Sequence, residues 1–68
     1  MIITEERYVI ATTEFPLEFE DGYGNTVWDI KDAEKYASIE LANERLNNYD
    51  DHAKSRFRLM KLVVSYEF

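Results

Sequence analysis

Residues 38–49 read Ser38-Ile-Glu-Leu-Ala-Asn-Glu-Arg-Leu-Asn-Asn-Tyr49, and we expect the only long helix of the chain here. Its apolar side chains recur every three or four residues, and the spacing continues to Phe57, which predicts one narrow helical stripe. The stripe consists of Ile39, Ala42, Leu46, Tyr49, Ala53 and Phe57. Ser38 is a favourable N-cap, so the helix is predicted to begin there. Because Asn and Asp are weak helix formers, a break near residue 50 is an alternative, with Asp50 or Asp51 capping a further turn.

The other patterned segments alternate with a period of two, which predicts strands. Residues 7–13 are rich in β-branched and aromatic side chains, and residues 15–20 alternate between apolar and acidic ones. Residues 21–25 contain both glycines of the chain and predict a turn, after which residues 26–28 form a short returning strand. Residues 60–68 show the most regular alternation of all.

The segment 29–37 has two interpretations. Asp29 is a suitable helix cap, and the helical spacing of Ile30, Ala33 and Ala37 predicts a short helix. The apolar stripe changes phase at Ser38, which favours a kink between this short helix and the main one. A single helix from residue 30 to residue 57 is the alternative.

Together these elements predict one domain, residues 1–68, of the α+β class. We expect a small, mostly antiparallel sheet of three or four strands with one main helix packed on one face, an arrangement similar to ββαβ. The predicted core consists of Tyr8, Ile10, Leu17, Phe19, Ile39, Ala42, Leu46, Tyr49, Leu62, Val64 and Tyr66.

Composition excludes several classes of function. The chain has no cysteine, so it contains neither a disulfide framework nor a thiolate site. The acidic residues at the start argue against a signal peptide, and no apolar run approaches the length that spans a membrane. We therefore expect a cytoplasmic protein that does not bind membranes.

The net charge of −6 disfavours direct nucleic-acid binding, because phosphate backbones repel an acidic chain. Residues 1–30 hold seven acidic residues and one basic residue, whereas residues 31–68 are neutral overall. Four bases lie close together further along, at Lys54, Arg56, Arg58 and Lys61. Because they span a helix end and a strand start, we expect their side chains to diverge.

His52, the only histidine, is the candidate for metal or acid–base chemistry, since Asp50 and Asp51 precede it. Consecutive helical positions point in different directions, so a solvated helix surface is the favoured interpretation. We expect no catalytic residues, no metal and no cofactor, and therefore not an enzyme.

The functional hypothesis rests on Glu14, Glu18, Glu20 and Asp21, which are predicted to form an acidic edge. The plainer interpretation is a solvated sheet face, and the functional one is a surface that docks on a basic site of another protein. Aromatic residues make up 15% of this small chain, so some are expected outside the core, at an interface. A homodimer that serves as a structural or accessory module is the alternative.

One resemblance supports this hypothesis. The resemblance is carried by four features in chain order: Tyr8-Val-Ile10, the glycine turn, Trp28, and the run from Asp29-Ile-Lys-Asp-Ala33 through Tyr36-Ala-Ser38 to Ala42. In these features the chain resembles short orphan proteins of phages and prophages of Gram-positive bacteria. The likeness covers about two thirds of the chain, and its motifs are structural. It implies a phage-related protein of unknown role, in the cytoplasm of a bacterial host and with a ββαβ-like fold, and it carries over no site residues. The acidic interaction protein hypothesised above would then be an inhibitor that docks on a basic site of a host protein.

Overall fold

The computed structural model describes all 68 residues, which form four strands, two α-helices and one 3-10 helix. In chain order these are β1 (Ile2–Thr12), β2 (Phe19–Glu20), β3 (Thr26–Val27), the 3-10 helix Ile30–Asp32, α1 (Ile39–Asn47), α2 (Asp51–Lys54) and β4 (Phe57–Glu67).

The four strands form one antiparallel sheet in the order β3-β2-β1-β4. The chain's two long strands pair along their whole length, from Ile2 opposite Glu67 to Thr12 opposite Phe57. The two-residue strands β2 and β3 add to the other side of β1, near its C-terminal end. With α1 as the main helix, the predicted α+β class is confirmed.

The β1–β4 pair extends beyond the rest of the molecule as a two-stranded ribbon. Tyr36 exchanges both backbone hydrogen bonds with Tyr8, at 2.8 and 2.7 Å, and β1 has no partner other than β4 before that point. The molecule is accordingly elongated, with extents of 44 × 25 × 18 Å. Several large apolar side chains of the ribbon are exposed because no other element covers them: Met1, Ile2, Ile3, Val63, Tyr66 and Phe68.

Both faces of the sheet are covered where it has four strands. Val9, Ala11 and Phe19 share one face, and Ala33 packs on them to form the buried cluster, with Ile30 beside it. Ile10 and Glu20 share the opposite face, because side chains alternate along a strand. Helix α1 covers that second face, where Ala42 is also fully buried.

The main helix begins where the sequence predicts and ends earlier. Ser38 Oγ accepts a hydrogen bond from the Leu41 N–H at 3.2 Å, which confirms the N-cap. The helix stops at Asn47, and Asp50 Oδ1 caps α2 by accepting from the Ala53 N–H at 2.8 Å. The alternative with a break near residue 50 is therefore correct, and the helical extension to Phe57 is wrong, since Phe57 begins β4.

Two predicted elements are shorter than expected. The segment 29–37 contains only the 3-10 helix, because Ala33 leaves the helical conformation and Tyr36 pairs with β1 instead. Within 15–20, only Phe19 and Glu20 are strand; Pro16 has no N–H to offer a ladder. The predicted turn at 21–25 is present, with Gly22 at φ +86° and Gly24 at φ +90°.

The predicted core is correct in part. Ile10, Phe19 and Ala42 are buried as expected, whereas Ile39 and Tyr66 are exposed. Tyr66 is exposed because it lies on the uncovered ribbon. Ile39 lies in the first turn of α1, and its side chain is also exposed. The other predicted positions, Tyr8, Leu17, Leu46, Tyr49, Leu62 and Val64, are half-buried.

Candidate functional site

Glu20 is the buried polar centre of the molecule. It follows Phe19 in β2, so its side chain points to the face that α1 covers, and it is 1% exposed. The prediction that Glu20 belongs to an exposed acidic edge is therefore wrong. The alternation of residues 15–20 correctly separates Phe19 from Glu20, but it carries no information on whether the acidic face is solvated or packed.

Each carboxylate oxygen of Glu20 accepts two hydrogen bonds. Oε1 accepts from the Tyr36 hydroxyl at 2.8 Å and from the Gly22 N–H at 2.9 Å. Oε2 accepts from Arg45 Nε and from the Tyr49 hydroxyl, both at 2.6 Å. A carboxylate has about four acceptor positions, so all of them are used, and no acceptor is left for a ligand. We define these residues as the Glu20 cluster.

The electrostatics of the Glu20 cluster keep the carboxylate ionised. Burial by itself raises the pKa of Glu20, but hydrogen bonds from Tyr49, Arg45 and Tyr36 outweigh it, so the pKa lies below its ordinary value. Burial, followed by the hydrogen bond to Glu20, raises the pKa of the hydroxyls of Tyr36 and Tyr49. The cluster is a structural link between β2, the segment before α1, and α1 itself.

The three other predicted docking residues remain at the surface. Glu14 is exposed, and Glu18 is half-buried, with Oε1 accepting from the Thr26 hydroxyl at 3.0 Å. Asp21 Oδ1 accepts from the N–H groups of Tyr23 and Asn25 and thereby closes the turn. The pKa of Asp21 is lowered, chiefly by the hydrogen bond from the Tyr23 N–H and further by hydrogen bonds from Asn25.

Further acidic residues join these three around the outer strands β2 and β3. Glu34 lies against the turn, because its Cβ is 3.2 Å from the position that a Cβ on Gly22 would occupy. Asp29 caps the 3-10 helix that follows β3, and Asp32 is the last residue of that helix. We call this surface the acidic edge, and it consists of Glu14, Glu18, Asp21, Asp29, Asp32 and Glu34. The last three were not among the predicted docking residues, although the acid-rich composition up to residue 34 was an available signal.

Three exposed aromatic side chains lie in the chain segments that form the acidic edge. Tyr23 is 88% exposed at the turn, Phe15 is 81% exposed in the loop before β2, and Trp28 is 67% exposed directly after β3. All three belong to segments that also carry the acidic residues. The acidic edge therefore combines negative charge with aromatic surface.

Four basic residues lie on the β4 side of the molecule, whereas Lys31 lies within the acidic edge, with its Nζ 3.7 Å from Asp29 Oδ2. Lys54 ends α2, Arg56 precedes β4, and Arg58 and Lys61 lie within β4. Arg58 and Lys61 are three residues apart in a strand, so their side chains emerge on opposite faces. Lys61 Nζ is bound to Glu6 Oε1 at 2.7 Å across the ribbon.

Two shallow clefts lie next to each other at the junction of the acidic edge with α2. The first, of about 390 Å³, is lined mainly by polar residues that include Glu14, Glu18 and Arg56. The second, of about 340 Å³, adds His52 and Asp50. His52 is exposed, and Asp50 is engaged as the cap of α2. No group of three or more potential ligands is placed to hold a metal ion.

Comparison of the chain with protein-family models, curated proteins and solved structures finds no match. The longest helix has nine residues, and no helix has the length and apolarity to cross a membrane. What can be inferred about function therefore comes from the chain's own surfaces.

Proposed function

We propose that this chain is a small, non-enzymatic interaction protein that docks through its acidic edge on a basic site of another protein. The observation that carries the proposal is the exposure of Phe15, Tyr23 and Trp28 among the carboxylates of that edge. Large exposed aromatic side chains lose contact with water when a partner covers them, and they are over-represented among the residues that dominate binding energy.

Charge and aromatic surface have separate roles in this proposal. The carboxylates attract a basic partner over a distance and orient it, an effect that salt weakens. The aromatic rings then supply the apolar contact, which is insensitive to charge. Glu20 takes no part in docking, because the Glu20 cluster uses its whole acceptor capacity.

The resemblance to short phage and prophage proteins suggests the kind of partner. We propose that the partner is a cytoplasmic protein of a Gram-positive bacterial host, and that the basic site of this partner ordinarily binds nucleic acid. A small acidic protein with no enzymatic activity would inhibit such a host protein by occupying that site.

The experiment is an affinity pull-down of tagged protein from nuclease-treated Gram-positive lysate, with two pairs of variants. Trp28→Ala removes an aromatic ring of the acidic edge, and Leu41→Ala removes an exposed apolar side chain of α1. The double variant E14K/D32K reverses two exposed carboxylates of the acidic edge, and E44K/D51K makes the same charge change on the helices. Circular dichroism establishes that each variant is folded.

We expect one stoichiometric protein whose recovery falls with Trp28→Ala and with E14K/D32K and is unchanged by the two controls. With that protein purified, the emission of Trp28, the only tryptophan, should shift to shorter wavelength on binding. A bound protein that is retained by Trp28→Ala and by E14K/D32K would overturn the assignment to the acidic edge.

A second candidate function is a self-associating structural or accessory module. The specific observation in its favour is the uncovered apolar end of the β1–β4 ribbon.

A further inference from the structure

The outer side of β4 is an open strand edge along its entire length. Odd-numbered residues of β1 bond β4, as the 3.0 Å bond from the Thr13 N–H to the Arg56 carbonyl shows at one end. Because bonding alternates along an antiparallel pair, the even-numbered residues of β4 face β1 and the odd-numbered ones face outward. The outward groups belong to Phe57, Leu59, Lys61, Val63, Ser65 and Glu67.

Half of this edge has none of the usual protection against pairing with another strand. Between Lys61 and Glu67 the sequence is Leu-Val-Val-Ser-Tyr, with no charge, proline or glycine. Edge strands ordinarily carry charged residues, proline or bulges that prevent such pairing. Val63 is 56% exposed on this segment, and Tyr66 is also exposed. The segment therefore has the character of a strand that pairs with another chain.

We propose that a second copy of this chain binds here, with β4 antiparallel to β4 of the partner copy about a two-fold axis through Val64. In this register Lys61 lies opposite Glu67 of the other copy, and the symmetry repeats the pair. Leu62 lies opposite Tyr66, and Val63 lies opposite Ser65. The result is a continuous sheet of eight strands.

Three features favour this register. In a pair of antiparallel edge strands, residues whose backbone groups face outward must lie opposite each other. Lys61, Glu67, Val63 and Ser65 all face outward, so each of the pairs Lys61–Glu67 and Val63–Ser65 exchanges two backbone hydrogen bonds. Opposite charges then lie directly across from each other on the same face, which stabilises a cross-strand pair. Glu67 has no ion-pair partner within the chain, whereas Lys61 has three N–H donors and retains Glu6 at 2.7 Å.

Other self-pairings lack this complementarity. A shift of β4 by two residues places Lys61 opposite Ser65 and Glu67 opposite Leu59. The open edge of β1 offers only residues 2–7, and pairing about Glu5 sets two like carboxylates against each other. The charge pattern of β4 thus favours its own copy as the occupant. This assembly does not depend on the acidic edge, which would lie at both ends of the dimeric sheet.

Sedimentation equilibrium over a range of concentrations, combined with hydrogen exchange of the backbone amides, tests the proposal. We expect a monomer–dimer equilibrium in which the amides of Val63 and Ser65 become protected as concentration rises. The even-numbered amides of β4 should be protected at every concentration, because they bond β1.

Charge variants test the register. Glu67→Lys replaces both attractive pairs by repulsive ones and should weaken dimerisation roughly tenfold or more. The double variant K61E/E67K should recover most of that loss, and the control D32K, on the opposite side of the sheet, should leave the dimer unchanged. Circular dichroism checks that all variants remain folded.

Three results would overturn the proposal. One is a monomer at every concentration in which the Val63 and Ser65 amides exchange freely. The open edge of β4 would then be available for a strand of a different protein. Another is a dimer in which these amides stay unprotected, since association would then use a different surface. The third is a dimer that Glu67→Lys and D32K weaken equally. None of these results bears on docking through the acidic edge.

Discussion

Arg45 Nε on α1 and Glu20 Oε2 on β2 lie 2.6 Å apart, although 25 positions of sequence separate the two residues. Glu20 is inaccessible to solvent, whereas Arg45 is partly exposed and also lies over the Tyr49 ring, 5.4 Å from its centroid. A buried ion pair adds little net stability over an apolar pair, but removing one partner is costly, because the remaining charge has no water. The main helix and the sheet therefore depend on each other through this contact.

Glu20→Gln should destabilise the protein by about 3 kcal/mol. The carboxamide keeps the shape, but its NH₂ group faces donors, either Arg45 and Tyr49 or Tyr36 and Gly22. Urea unfolding followed by circular dichroism measures the loss. Glu18→Gln is the matched control: Glu18 has one side-chain hydrogen bond, from Thr26, and a change below about 1 kcal/mol is expected. Equal losses in the two variants would contradict the central position of Glu20.

The contribution of Glu20 should depend on pH in the acid range. The pKa of Glu20 in the folded protein is below its ordinary value, so the unfolded chain takes up a proton first as pH falls. The stability that Glu20 contributes is complete above about pH 5 and is lost as pH falls through the folded pKa. The difference between wild type and Glu20→Gln should therefore narrow at acid pH. A difference that stays constant as pH falls would contradict this linkage.

Tyr49→Phe should cost about 1.5 kcal/mol, the value of a hydrogen bond to a charged group. The variant keeps the ring, whose centroid is 5.3 Å from that of Phe57, and loses only the 2.6 Å bond to Glu20. Tyr23→Phe serves as the control and should be neutral, because the Tyr23 side chain is exposed. Urea unfolding at neutral pH gives both values, and a neutral Tyr49→Phe would show that its hydroxyl contributes nothing.

The sequence predicted which residues share a face, but not what covers each face. Period-two alternation placed Glu18 and Glu20 on one side, and negative charge then suggested solvent, whereas the helix lies there. One signal was available: in the helix predicted from the sequence, Arg45 and Tyr49 are four residues apart, so a cation and a hydroxyl would adjoin on one face and require an acceptor. In the structure α1 ends at Asn47, and Tyr49 reaches Glu20 from the residues that follow the helix. The element that supplies such an acceptor is a matter of tertiary packing, which local pattern does not encode.

The boundaries of helices and strands also divide into those that local sequence predicts and those that depend on tertiary pairing. Local capping residues were sufficient to place the start of α1 at Ser38 and to leave open the break at Asp50. The length of β1 was underestimated, because Ile2 to Glu6 are strand only through pairing with β4. Long-range pairing of this kind has no signature within the segment itself.

The cap of α2 is a local feature with a local test. Asp50→Ala should cost about 1 kcal/mol, because Asp50 Oδ1 accepts from the Ala53 N–H at 2.8 Å and nothing else is placed to do so. Asp51→Ala makes the same change of charge one residue later, where the side chain makes no hydrogen bond, and should cost a few tenths of a kcal/mol. The urea unfolding midpoints of the two variants measure the two costs. A greater loss of stability in Asp51→Ala than in Asp50→Ala would contradict the assignment of Asp50 as the cap.

The two glycines of the turn should differ in their tolerance of alanine. Both have positive φ, so Gly24→Ala should cost about 1 kcal/mol from the backbone alone, since nothing lies within 4 Å of its new Cβ. Gly22→Ala adds a Cβ only 3.2 Å from Glu34 Cβ, and relief of that contact displaces the N–H that Gly22 donates to Glu20 at 2.9 Å. Gly22→Ala should therefore be more destabilising than Gly24→Ala in urea unfolding. If the two costs are equal, Glu34 and the turn yield without disturbing Glu20, and the Gly22 N–H is dispensable to the Glu20 cluster.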